Sequence, residues 1–363
     1  MTTLVARRAL TPDGLIGPVT IEIGADGRIA AVAPATGPVP DRLIAPGFVD
    51  LQVNGIDDVD VASADGADWD RLAGLLLDQG TTAWCPTLIT SRLGRYDAPL
   101  ARVATAMAGA TPHSPTILGV HLEGPFLGGS PGAHPRELIV PIDLGFLAAL
   151  PDHVRLMTIG AEQALAPQAA RLLAERGIVV SIGHSQPTEA EFVAAVAAGA
   201  SMVTHLYNGM SGLHHRSPGL AAMALTEPSV ATGLIADLIH VHPRLVRLAF
   251  SAQPAGSVVL VTDATAWRAG RAGEIRIELR DGAPRLADGT LAGSDLRMVE
   301  AVRNTVGCGV PLADALIAAS TTPASVIGAA DRGTIEVGKR ADLVVLDDSL
   351  ELRSVFVAGH QVR

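Results

Sequence analysis

Six polar or ionisable residues close apolar, strand-like runs of this 363-residue chain: Gln52, Asn54, Glu123, His184, His205 and Asp263. A carboxylate and two imidazoles from separate strands supply three metal ligands and leave one position open, the arrangement of catalytic zinc. Each has a plainer explanation when taken singly. A histidine at a strand end hydrogen-bonds backbone, Glu123 can satisfy the donors of its Gly-Pro turn, and Asp263 beside Thr262 and Thr265 can cap a turn. Recurrence at one strand end after another favours a single polar mouth. His240 and His242 form a competing pair, since alternate residues of a strand share a face. They follow the seventh apolar run and precede a helix starting near Pro243, so His240 is read as functional and His242 as a solvent-facing residue near that start. His121 shares the face of Glu123 and is read as a support behind it, whereas His113, His153 and His360 fall in loops or terminal strands.

Eight apolar runs must position these groups: Ile44–Val53, Thr82–Leu88, Thr116–Glu123, Val154–Ile159, Ile178–His184, Ser201–His205, Val230–Ala236 and Val258–Asp263. Helical stretches such as Trp69–Gln79, Pro187–Ala198 and Pro243–Ala252 alternate with them, which predicts a closed parallel (β/α)₈ barrel with its chemistry at the carboxyl ends of the strands. A doubly wound open sheet would carry a Gly-rich fingerprint after its first strand, and none is present. Short strands at both chain ends (Leu4–Leu10, Val19–Ile23 and Arg28–Ala33; Ala341–Leu346 and Ser354–Val357) predict a small β-sandwich from residues 1–45 and 333–363. The barrel then occupies 46–332.

Composition narrows the partners. A formal charge of −10 argues against nucleic acid, whose binding needs clustered basic residues, so an anionic ligand would need a local patch such as His214-His215-Arg216. No uninterrupted apolar run reaches the ~18 residues of a membrane span. The opening MTTLVARRAL reads as a strand with two arginines and not as a signal peptide. Cys85 and Cys308 are too few for a disulfide framework, and a cytoplasmic location is expected. Lys339 is the sole lysine among 27 basic residues.

Several segments resemble the amidohydrolase superfamily and, within it, the N-acetylglucosamine-6-phosphate deacetylases. They are Ala45-Pro-Gly-Phe-Val-Asp-Leu-Gln-Val-Asn-Gly55, His121-Leu-Glu-Gly-Pro-Phe126, Gly132-Ala-His-Pro135 and Ile182-Gly-His-Ser185. Thr204-His-Leu-Tyr-Asn-Gly-Met210, Leu260-Val-Thr-Asp-Ala-Thr265, Gly289-Thr-Leu-Ala-Gly-Ser294 and Gly338-Lys-Arg-Ala-Asp-Leu343 extend the likeness over nearly the whole chain. The resemblance implies Glu123, His184 and His205 as ligands of one divalent metal, zinc by preference, with iron, manganese or cobalt as alternatives. Gln52-Val-Asn54 replaces the His-x-His pair that holds a second metal in many superfamily members, leaving at most a weak second site there. A carboxylated lysine bridging two metals is excluded because Lys339 lies outside the barrel. The resemblance further implies Asp263 as acid/base and His134 as the group polarising the carbonyl. Asn208, the Gly209 backbone, Arg216 and His240 are implied for the phosphate, and Leu291 and Gly293 for the sugar. Gly209 stands where many members have alanine, and the Trp267-Arg-Ala-Gly-Arg stretch departs from the family and is expected to reshape the pocket rim. The expected reaction is hydrolysis of N-acetylglucosamine-6-phosphate by a homodimer. The galacto epimer as substrate and a catalytically silent sugar-phosphate binder are the alternatives.

Overall fold

The computed structural model describes residues 2–363. Eight parallel strands rich in valine, isoleucine and leucine curve into a barrel: β1 (Phe48–Val53), β2 (Thr81–Ile89), β3 (Val120–Glu123), β4 (Val154–Ile159), β5 (Val179–Ile182), β6 (Ala200–Val203), β7 (Ala231–Leu234) and β8 (Val258–Leu260). Each pairs in parallel with its successor. Buried on both faces, such strands read as continuous apolar runs. The seam between β8 and β1 is closed by a few bonds. Asp263 N donates to Gln52 O at 2.9 Å and Asn54 N to Ala264 O at 2.8 Å. Beneath them the buried Asp50 carboxylate accepts from Thr262 Oγ1 at 2.6 Å and Thr262 N at 3.2 Å.

Three expected strands divide in two. The run Ile44–Val53 breaks at Gly47: Leu43–Pro46 pairs antiparallel with Leu343–Leu346, while β1 enters the barrel. An added Cβ on Gly47 would lie 2.2 Å from Thr82 Oγ1, so the chain changes sheet where only glycine fits. Both pieces are fully buried, which leaves no polar signal of the change. Leu4–Leu10 likewise divides into Thr2–Ala6 and Arg8–Thr11 in different sheets, and Thr116–Glu123 into Thr116–Ile117 and β3.

Two terminal sheets pack together: one of three strands, all from the N-terminal part, and one of six that takes strands from both chain ends. They share an apolar core that includes Leu4, Ile21, Ile29, Ile44, Leu343 and Phe356. Leu10, Val344 and Leu346 of the larger sheet join the barrel's own core, which fixes the sandwich against the barrel. The outer helices carry local start signals. Pro243–Ala252 begins with proline after the N-cap His242, whose side chain accepts from Arg244 N. Glu189–Ala197 begins with a reciprocal Thr188–Glu191 capping box. The next α-helix after β8 starts at Met298. The segment between β8 and that helix folds into two small hairpins, Arg271–Ala272 with Ile275–Arg276 and Glu278–Arg280 with Ala283–Arg285, beside the barrel mouth. Among the described residues no helix is long and apolar enough to cross a membrane.

Candidate active site

Glu123 ends β3, and His184 and His205 follow β5 and β6, so the barrel mouth brings all three side chains together. Glu123 Oε1 lies 3.1 Å from His184 Nε2 and 2.9 Å from His205 Nε2, and the two imidazole nitrogens are 3.1 Å apart. His184 Nδ1 faces the carbonyl of Ser130 at 3.1 Å. A carbonyl only accepts, so the ring proton sits on Nδ1 and a lone pair on Nε2 points into the cluster. A lone pair aimed at a carboxylate oxygen and a second imidazole is stabilised by a cation. The spacing fits one, because ligand atoms of tetrahedral zinc at ~2.0–2.1 Å lie about 3.3 Å apart. Burial opposes charge on Glu123, but the imidazoles of His184, His205 and His134 hold its carboxyl well below the usual carboxylate range.

Asp263 follows β8 on the opposite side of the same mouth. Gln52 Nε2 reaches both Glu123 Oε1 at 3.0 Å and Asp263 Oδ1 at 3.1 Å, and Asn54 Nδ2 donates to Asp263 Oδ1 at 2.7 Å. The two amides therefore occupy the place of a His-x-His pair and hold two carboxylates by donation. Burial first, and then the charge on Glu123, push the Asp263 pKa up to about 7. That value suits a group that must both take and give a proton near neutrality. His184, His205 and Asp263 all have positive φ, 49°, 25° and 51°. Such conformations cost non-glycine residues energy and cluster at functional sites.

His134 comes from the loop after β3. Its Nδ1 lies 2.8 Å from Thr90 Oγ1, its Nε2 3.9 Å from Glu123 Oε2, and its ring 4.3 Å from that of His184. Burial and the neighbouring imidazoles keep it neutral, with its pKa near 3. Ligand atoms of Glu123, His134 and His184 all fall within 4.8 Å, so position alone would also admit His134 as a metal ligand.

A cleft opens from these groups and is lined by Asn208, Gly209, His240, Leu291 and Gly293, all expected there, together with Ile235, Thr265, Ala272, Ile275 and Thr290. His240 is oriented by Asp237, whose Oδ2 is 2.6 Å from Nδ1. Arg216 does not line the cleft; residues 213–217 are exposed. The arginines after Trp267 also face away, Arg268 pairing with Asp57 at 3.0 Å and Arg271 reaching Ser63 and Asp60. The rim is instead formed by Ala272 and Ile275. His121 is buried beneath the cluster, its Nε2 2.8 Å from Thr158 Oγ1 and its Nδ1 3.4 Å from Thr87 Oγ1.

Sequence reasoning missed two supports. Glu162 Oε1 accepts from Gly129 N and Gln186 N, both at 2.7 Å, and so ties together the segments on either side of His184. Thr90, just past β2, touches His134. Neither belongs to a residue pattern that signals chemistry, although the turn position of Thr90 at the strand's carboxyl end was visible.

A family model described as the amidohydrolase family matches residues 43–362. The chain is 38% identical to an N-acetylglucosamine-6-phosphate deacetylase of Bos taurus over 88% of this chain and 83% of that one. It is 37% identical to an N-acetylgalactosamine-6-phosphate deacetylase of Escherichia coli O157:H7, covering 98% of each. Among solved structures, N-acetylglucosamine-6-phosphate deacetylase from Thermotoga maritima superposes with a TM-score of 0.92 at 30% identity, covering 100% of this chain and 99% of that one. A mutant of the Mycobacterium smegmatis enzyme in complex with N-acetylglucosamine-6-phosphate gives a TM-score of 0.92 at 31% identity, covering 99% of each.

Proposed function

We start from a chain that belongs to the amidohydrolase family, and we propose that it hydrolyses N-acetylglucosamine-6-phosphate to glucosamine-6-phosphate and acetate. The observation that carries this reading is the Glu123–His184–His205 cluster facing Asp263 across the Gln52 amide. Glu123, His184 and His205 are assigned to hold one divalent metal, zinc by preference. When bound, such an ion supplies Lewis acidity that makes water a nucleophile at neutral pH.

The residues of the chain do the rest. Asp263 accepts the proton of the attacking water as the C–O bond forms on the acetyl carbonyl. It then donates that proton to the sugar nitrogen as the C–N bond breaks, so the nitrogen departs as an amine and not as an amide anion. His134 donates to the oxygen on which charge develops; a preorganised donor of this kind contributes ~3–4 kcal/mol. Asn208, the Gly209 backbone and His240 are assigned to the phosphate end, and Leu291 and Gly293 to the sugar. Arg216, exposed on its own chain, is assigned to the phosphate of a neighbouring copy, which makes a homodimer part of the proposal. The location proposed is the cytoplasm.

The galacto epimer is the second reading, favoured by the Escherichia coli O157:H7 relative that spans almost the whole chain. The test is acetate release from N-acetylglucosamine-6-phosphate, its galacto epimer and unphosphorylated N-acetylglucosamine after zinc reconstitution. Preference for the first supports the proposal, preference for the second selects the alternative, and no release from any compound with metal bound overturns both.

A further inference from the structure

We propose that Thr90 is a positioning residue that fixes the tautomer of His134, making it a hydrogen-bond donor to the reacting carbonyl and not a fourth metal ligand. The two roles demand opposite protonation of one atom. A ligand needs a lone pair on Nε2, whereas a donor to a developing oxyanion needs Nε2–H. His134 stands close enough to Glu123 and His184 for either role. What decides is the far side of the ring. There Nδ1 meets the backbone N–H of Thr90 at 3.4 Å and the Thr90 hydroxyl at 2.8 Å. A backbone N–H can only donate, so the atom it points at carries a lone pair, and the one ring proton of a neutral imidazole is placed on Nε2. The hydroxyl donates to the same lone pair over the shorter distance and supplies most of the hold on it, the backbone contact at 3.4 Å being long for a hydrogen bond.

The surroundings keep that hydroxyl where it is. Thr90 and His134 are both buried, at 3% and 7% exposure, so water does not compete for Nδ1. An added Cβ on Gly124 would lie 2.2 Å from Thr90 Oγ1, so the turn after β3 leaves room for this oxygen only because glycine stands there. The alternative pairing has Nδ1–H donating to the hydroxyl and the hydroxyl donating to Glu123 O. It uses a longer 3.3 Å bond and sets Nδ1–H against the Thr90 N–H. Thr90 thus acts through His134 and touches no reacting atom.

This inference rests on the deacetylase reading for its kinetic consequence, but the tautomer can be measured without turnover. In the zinc-loaded protein with ¹⁵N-labelled histidine, His134 identified by its loss in His134→Gln should show a protonated Nε2 and a bare Nδ1. Thr90→Val, which keeps the shape and removes the hydroxyl, should lower kcat about 10- to 100-fold, since a misdirected oxyanion donor retains part of its effect. KM and zinc content should stay near wild type, and Thr90→Ser should restore most of the rate. A protonated Nδ1 in the wild type, a wild-type kcat in Thr90→Val, or failure of Thr90→Ser to restore the rate would each overturn the proposal. Absence of acetate release from the wild type would sink the deacetylase reading, while the nitrogen spectrum would still decide the tautomer.

Discussion

Asp263 owes its setting to amides. Gln52 and Asn54 donate to its Oδ1, and Glu123 shares the Gln52 amide, so one donor holds both buried carboxyl groups in place. Asp263→Asn would keep the shape and remove proton transfer. We expect kcat to fall by at least ~10²-fold with zinc content unchanged, because Glu123, His184 and His205 are untouched. Steady-state kinetics with metal analysis checks this, and near wild-type turnover would remove Asp263 from the mechanism. At this scale the residue types were legible: a carboxylate, two imidazoles and an aspartate at successive strand ends. Thr90 and Glu162 were not, because their contacts are made across loops far apart in sequence.

The loop between β3 and β4 carries both Ser130, which orients His184, and His134. It is seated on Gly160 at the end of β4: an added Cβ there would lie 2.5 Å from Gly128 N and 2.8 Å from Gly128 Cα. Backbone cannot yield as a side chain can. Gly160→Ala should therefore cost about 1–3 kcal/mol, the usual penalty of overpacking, and should loosen zinc. Thermal unfolding and chelator competition test it, and unchanged zinc retention would show that the loop does not hold His184. Elements were legible where local chemistry marks them, as in the helix Pro243–Ala252, found with its expected bounds. They were not where an apolar run passes from one sheet to another, as at Gly47, since burial on both faces is the same on either side of the break.

The barrel as a whole closes over a buried carboxylate. Asp50, in the seam between β8 and β1, has its pKa pushed up to about 7 by burial, against hydrogen bonds from Thr262 and the Gln52 backbone. The folded state therefore holds a proton that the unfolded chain has released above about pH 4. The unfolded state binds fewer protons in that window, so this group's contribution to stability is full at low pH and is lost as pH rises from about 4 through about 7. Asp50→Asn cannot ionise. Its unfolding free energy measured against wild type should shift in the variant's favour between pH 5 and 7.5, and parallel curves for the two proteins would contradict the assignment.

The chain's own pattern specified the eight barrel strands, the sheet formed from both chain ends and the types of the residues at the mouth. These follow from apolar runs that need burial on both faces and from polar groups that interrupt them at one end. How those groups meet was set by the packed fold. It drew Glu123, His184 and His205 to within 3.1 Å of one another, set His184, His205 and Asp263 at positive φ, and placed Thr90 against His134. It also left Arg216 outside the cleft and turned the arginines after Trp267 away from the rim. The physical reason is that strand periodicity tells which end a residue occupies, whereas the direction of its side chain is set by loops packed against loops. Their contacts join residues tens to hundreds of positions apart, and nothing local in the chain encodes them.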